Sequence, residues 1–248
     1  MGLHHSHSHG PAPADTPGGD KRLVFAIAVN VLLTVAQIIG GVLSGSLALV
    51  ADAIHNLSDA AALAIALIAR RIARHPADAK HTYGHGRAEM IAAVFNLAWL
   101  IFIGIFLVVE AVERFFNPQP IAGWTVVIIA AIALAVDIAT VMLTYRMSKT
   151  SMNIRAAFIH NLSDAMASVG VIVAGTLIIL YDWLFVDALV TIVIAAYILG
   201  HAAIEIPKAI HILMQGVPAG LDIADVTAAL QEVPGVHDIH HVHIWHID

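Results

Sequence analysis

The sequence contains no cysteine, which excludes disulfides, iron–sulfur clusters and thiolate metal sites. Charge is also scarce. Only 12% of its 248 residues are Asp, Glu, Lys or Arg, against about 25% in an ordinary soluble domain. A soluble fold of this length would lack the polar side chains to cover its surface, so a soluble enzyme is disfavoured, as is a disordered chain. Basic residues number 12 against 18 acidic ones, giving a formal net charge of −6. That balance offers no surface to a nucleic-acid partner.

What the chain has in excess is apolar residues and histidine. Hydrophobic residues make up 59% of it, with a mean hydropathy of +0.84. Its 16 histidines outnumber Lys and Arg together, and packing alone gives no reason for them. Residues 1–22 form a polar tail with His4, His5, His7 and His9 interleaved. A metal-collecting tail and an artificial tag fit that pattern equally. It is not a signal peptide, because a long polar stretch separates Met1 from the first apolar run.

Six long apolar segments follow, at Leu23–Leu43, Ser46–Ile68, Met90–Val112, Trp124–Tyr145, Ala156–Tyr181 and Leu184–Ile204. Each is near the ~20 residues that a helix needs to cross ~30 Å of hydrocarbon, and too long for a membrane strand. Ser44-Gly45-Ser46 joins the first two as a tight hairpin. Eleven of the 12 basic residues fall on one side of such a six-span arrangement, and only Arg114 on the other. Both termini are therefore expected in the cytoplasm, and the expected location is a bacterial inner membrane. The expected organisation is an all-α polytopic membrane protein: a disordered tail (1–22), six transmembrane helices (23–206) and a partial C-terminal cytoplasmic domain (207–248). In that last part, Leu221–Val233 reads as an amphipathic helix capped by Asp222, Pro234-Gly235 as a turn, and Val236–Ile247 as a strand. One helix and one strand cannot close a core, so the chain is expected to stop inside a larger domain.

The sharpest signal is an internal repeat. His55-Asn56-Leu57-Ser58-Asp59-Ala60 in the second span recurs as His160-Asn161-Leu162-Ser163-Asp164-Ala165 in the fifth. His and Asp at i and i+4 share one helix face. Two such helices offer two imidazoles and two carboxylates, a set suited to tetrahedral Zn²⁺. A single His–Asp pair could simply fix helix packing. Two identical pairs of ionisable residues in two spans point instead to a central binding site. Metal binding requires neutral imidazole and ionised carboxylate, so it displaces protons. Imidazole, with a reference pKa of about 6.5, suits an exchange of metal for protons between compartments.

These residues resemble the cation diffusion facilitators. The resemblance runs from Leu23 to Ile247. It includes Ser44-Gly45-Ser46-Leu47-Ala48-Leu49-Val50-Ala51-Asp52-Ala53 before the first repeat, Tyr83-Gly84-His85-Gly86-Arg87-Ala88-Glu89 at the third span, the second repeat and His240–Trp245. It implies six transmembrane helices, a ferredoxin-like α/β cytoplasmic domain that is incomplete here, a homodimer, and export of divalent metal coupled to proton entry. It puts the transport site on His55, Asp59, His160 and Asp164, with Zn²⁺ the implied cargo and Cd²⁺ or Co²⁺ possible. It also implies a second metal site at Asp78, His81 and His85, with His75 a weaker candidate, and a cytoplasmic zinc ligand at His240. His237, His241, His243 and His246 are then surface residues, with His237, His241 and His243 on one strand face and His240 and His246 on the other. A structural zinc there would need further ligands.

Asp137, in the middle of the fourth span, stands where the family pattern has Asn. It is either a proton-carrying group that tunes the site or a buried acid paired with Asn30 or Gln37. Glu110 and Arg114 are spaced to pair at i and i+4. Two other functions remain to be separated from transport. One is an intramembrane zinc enzyme, which would keep an open coordination position for water. The other is a metal-sensing membrane dimer without flux.

Overall fold

The computed structural model describes residues 19–145 and 152–245. The histidine tail, Arg146, Lys149 and His246 lie outside the described residues, as does the side chain of Asn30. Seven helices are described. They are α1 (Gly19–Ser44), α2 (Leu47–Ala73), α3 (Ala88–Phe116), α4 (Gly123–Tyr145), α5 (Met152–Tyr181), α6 (Phe185–Leu213) and α7 (Ile223–Gln231). Within α2 to α6 lie five stretches long and apolar enough to cross a membrane. Helix α1 runs 26 residues and includes the apolar stretch Val31–Ser44. The exterior carries large apolar side chains such as Leu43, Phe95, Phe102 and Met142, as a bilayer-facing surface requires. The chain is a multi-pass membrane protein.

Small residues let the helices approach. Buried alanines at 48, 51, 130, 174, 188, 195 and 202 line the contacts, where van der Waals packing replaces the hydrophobic drive. Helix α4 packs chiefly on α5 and α3 chiefly on α6, whereas α2 touches α5 over a short stretch only.

Buried polar groups fix the turn end of the bundle. Gly45 takes φ +77° between α1 and α2, and a Cβ there would lie 2.5 Å from the Pro120 carbonyl oxygen; only glycine fits both constraints. Ser46 caps α2, its hydroxyl accepting from the Leu49 N–H at 3.1 Å. The same hydroxyl donates to Asp187 Oδ1 at 2.5 Å. Asp187 Oδ2 accepts from the N–H groups of Leu47 and Ala48 at 2.7 and 3.2 Å. A carboxylate from α6 thus meets the donors that the first turn of α2 leaves unpaired. Arg114 donates to Glu110 at 2.9 Å, the expected i,i+4 pair, and to the Gly45 carbonyl at 2.7 Å.

Two features differ from the sequence reading. Helix α6 continues through Pro207 to Leu213, past the boundary placed at 206; proline removes one backbone donor but leaves the neighbouring turns to carry the helix. Val236–Ile247 was expected to be a strand, yet the described residues 236–245 form none. A strand exists by pairing, no described segment lies alongside to pair with it, and His241 at φ +54° interrupts extension. Without the strand, alternation cannot sort His237, His240, His241 and His243 onto two faces. Helix α7 is present, with Asp222 accepting from the Ala224 N–H at 2.8 Å.

Asp187→Ala leaves two buried N–H groups of α2 unpaired, at about 1–3 kcal/mol each. Glu110→Ala removes a part-exposed helix pair worth about 0.3–0.5 kcal/mol. Thermal unfolding in detergent micelles should show a clear drop for the first and little for the second. Equal midpoints would contradict the clamp.

Candidate metal centre

The repeats on α2 and α5 meet in an antiparallel sense. Adjacent spans alternate direction, so the second and fifth run oppositely, and each His then lies level with the other helix's Asp. The distances follow this rule. His55 Nε2 is 3.7 Å from Asp164 Oδ1, and His160 Nε2 is 3.3 Å from Asp59 Oδ2. Within each helix, His55 Nε2 lies 3.7 Å from Asp59 Oδ2 and His160 Nε2 lies 3.5 Å from Asp164 Oδ2. A tetrahedron with metal–ligand bonds near ~2.1 Å has edges of about 3.4 Å. Two nitrogen–oxygen separations across the helices and two within them are therefore close to the edges of a zinc-sized cage, with Asp164 meeting His55 through Oδ1 and His160 through Oδ2. Donor atoms of His55, His160 and Asp164 all lie within 4.8 Å of one another.

The donors are also unspent. Both ring nitrogens of His55, Asp59 Oδ2 and Asp164 Oδ1 are buried without a hydrogen-bond partner. Native structures rarely leave such atoms unsatisfied, and here His55 Nε2, Asp59 Oδ2 and Asp164 Oδ1 lie close together. The site is open on one half only. Asp59 and His160 side chains are 33% and 43% exposed, while His55 and Asp164 are 10% and 8% exposed.

A polar surround holds the cage, and the sequence reading missed part of it. Asp52, fully buried, accepts from Gln37 Nε2 at 2.6 Å, and Asn56 of the repeat donates to Gln37 Oε1 at 3.4 Å. Gln37 is thus engaged with α2 rather than with Asp137. Asp137 instead accepts from Ser168 on α5 at 3.1 Å, one turn beyond Asp164. The Tyr197 ring of α6 packs edge-on to His55, with centroids 6.0 Å apart. Asp52 and Asp187 were legible as acids inside apolar runs, a signal for function or pairing; Tyr197 carries no such signal.

A second cluster sits on the loop between α2 and α3, where donor atoms of Asp78, His81 and His85 lie within 4.8 Å of one another. Asp78 Oδ1 accepts from the N–H groups of Lys80 and His81 at 2.7 and 2.6 Å. Those two bonds, the His81 N–H foremost, hold the Asp78 carboxyl below the usual carboxylate range. Asp78 Oδ2 is 3.5 Å from His81 Nδ1 and 4.0 Å from His85 Nε2. His240 is exposed, with its Nδ1 2.8 Å from that of His241, and the described residues bring no third donor to that pair.

A depressed carboxyl adds loop stability above its ordinary pKa, and that stability is lost as pH falls through the folded value. Carbon-detected NMR of the metal-free protein should therefore find Asp78 titrating below ~3.9. A midpoint at or above that value would contradict the two backbone bonds.

Comparison with known proteins places the chain in a family. Residues 23–214 match the model of the cation efflux transmembrane domain. The chain is 39% identical to the zinc transporter ZitB of Pectobacterium atrosepticum, across 98% of this chain and 75% of that protein. It is 35% identical to the metal cation efflux system protein CzcD of Cupriavidus metallidurans, across 99% and 76%. It is 37% identical to a cadmium, cobalt and zinc/H(+)-K(+) antiporter of Bacillus subtilis, across 98% and 76%.

Proposed function

From the premise that this chain belongs to the cation efflux family, we propose that it exports Zn²⁺ from the cytoplasm in exchange for protons. It is a transporter rather than an enzyme. The observation that carries the zinc reading is the cage. Four nitrogen–oxygen separations of 3.3–3.7 Å join two imidazoles and two carboxylates across α2 and α5. His55, Asp59, His160 and Asp164 are the four ligands, and Zn²⁺ is cargo. Cd²⁺ and Co²⁺ suit the same donors less selectively, and the name of the Bacillus subtilis relative includes both metals.

Protons are the counter-ion in this reading because the cage must lose them to bind metal. When the helices rock so that the site opens outward, protons reclaim the imidazoles and carboxylates and the ion leaves. Transport is driven only by a difference in Zn²⁺ and H⁺ affinity between the two states. Asp137, fixed by Ser168 one turn from Asp164, adds negative charge beside the path and tunes the site. Asp78, His81 and His85 form a second cation site on the cytoplasmic loop. The arrangement of Lys and Arg supports cytoplasmic termini and six spans in a bacterial inner membrane. Residues 1–22, 23–206 and 207–248 are then tail, transport unit and part of a ferredoxin-like domain. That domain would contribute His240 to a structural zinc site and help pair two copies as a homodimer.

In proteoliposomes, Asp59→Ala and Asp164→Ala should each reduce Zn²⁺ flux to that of empty vesicles while the protein stays monodisperse. Undiminished flux in either variant sinks the assignment. Binding without flux in the wild type would favour a metal-sensing dimer. Asp137→Asn keeps an acceptor for Ser168 but loses the charge; flux should persist with a displaced pH dependence, and an unchanged profile removes Asp137 from the mechanism.

A further inference from the structure

The loop cluster has three donors, one short of a closed zinc shell, which takes four. We infer that His75 is the fourth ligand, completing a site of three imidazoles and one carboxylate for a zinc-like divalent cation. This inference rests on the reading of Asp78, His81 and His85 as a cation site.

His75 stands at the end of α2, next to Pro76. Its Nδ1 lies 3.0 Å from the Ile72 carbonyl oxygen. A carbonyl only accepts, so Nδ1 carries the hydrogen and Nε2 keeps its lone pair. Metal-binding histidines show this pattern: the non-ligating nitrogen donates to a backbone carbonyl, which fixes the tautomer and aims the ring. Two of the imidazoles flank the His85 ring. The His75 and His85 ring centroids are 5.9 Å apart, and those of His85 and His81 are 4.3 Å apart.

The backbone brings them together. Asp78 N–H donates to the His81 carbonyl at 3.2 Å, and Gly84 N–H donates to it at 2.8 Å. At Gly84, with φ +76°, the loop folds back on its own start: a Cβ there would lie 3.7 Å from Ala77 N and 3.9 Å from the His75 carbonyl oxygen. His85 Nδ1 is buried and has no hydrogen-bond partner. Asp78 spends Oδ1 on backbone donors and holds Oδ2 toward the histidines. His75 is exposed and stands outside the three donors that lie within 4.8 Å of one another, so to join them its ring would turn toward His85 from the position in which Nδ1 meets the Ile72 carbonyl. A cation so held would link the last turn of α2, through His75 and Ile72, to the first turn of α3, where Ala88 N–H donates to the His85 carbonyl at 3.0 Å.

The test uses the full chain in detergent micelles with Asp164→Ala disabling the transport site. Zn²⁺ binding is measured by equilibrium dialysis. Co²⁺ absorption is recorded as a difference against the same protein carrying His81→Ala, which isolates the loop ion. His75→Gln keeps a group able to donate to Ile72 but removes the ligating nitrogen. It should weaken the loop ion by at least about tenfold and reduce the intense absorption of four-coordinate Co²⁺. His75→Ala should do the same. If His81→Ala removes an ion while both His75 variants leave affinity and spectrum unchanged, the inference is overturned and the three-ligand site stands. If His81→Ala removes no ion, the site itself is absent and the inference falls with it.

Discussion

A carboxylate enclosed by apolar helices must find partners, and the packing of this bundle follows from how each acid finds them. Asp187 takes a hydroxyl and two backbone N–H groups from the start of α2. Asp52 takes the amide of Gln37, and Asp137 takes the hydroxyl of Ser168. Asp59 Oδ2 and Asp164 Oδ1 take no hydrogen bond at all; they face imidazole nitrogens at 3.3–3.7 Å. The acids thus divide into those that the protein satisfies itself and those whose oxygens it leaves without a hydrogen bond, which are the ones in the proposed cage. That division separates scaffold from site more sharply than burial does, since the Asp52 and Asp164 side chains are both enclosed.

The helical part of the fold was legible because membrane spans announce themselves by length and hydropathy. The expected segments agree with α1 to α6 within a few residues at most ends. The meeting of the two His–Asp pairs was legible for a different reason. An identical hexapeptide in two spans of opposite direction offers two matching His–Asp faces, and the packing of α2 on α5 then sets His55 level with Asp164 and His160 level with Asp59. What the sequence did not disclose are the contacts between elements far apart in the chain. Ser46 with Asp187 and Asp137 with Ser168 depend on helix rotation and neighbour choice, which hydropathy does not encode. The end of α6 was misplaced because proline argues against a helix locally while the flanking turns carry it. The strand at 236–245 failed because β-pattern describes a residue's fitness for a sheet, not the presence of a partner.

The helices around the site are unevenly coupled. Helices α4 and α5 form one extensive contact, α3 and α6 another, and the two helices that carry the ligands meet only briefly. The cage therefore sits at a seam between better-packed units. In the proposed transport cycle, motion along that seam would alter access to the cage while leaving each unit's own packing in place.

The antiparallel repeat has a further consequence for direction. Exchanging α2 with α5 carries the four ligands onto one another, so their chemistry has no polarity of its own. Polarity comes from what surrounds them. The His55–Asp164 level faces the turn end clamped by Asp187 and is closed; the His160–Asp59 level faces the 74–87 loop and is open. Under the proposed transport reading, reversing that inequality, with all four side chains left where they are, would be enough to change the compartment the cage opens to.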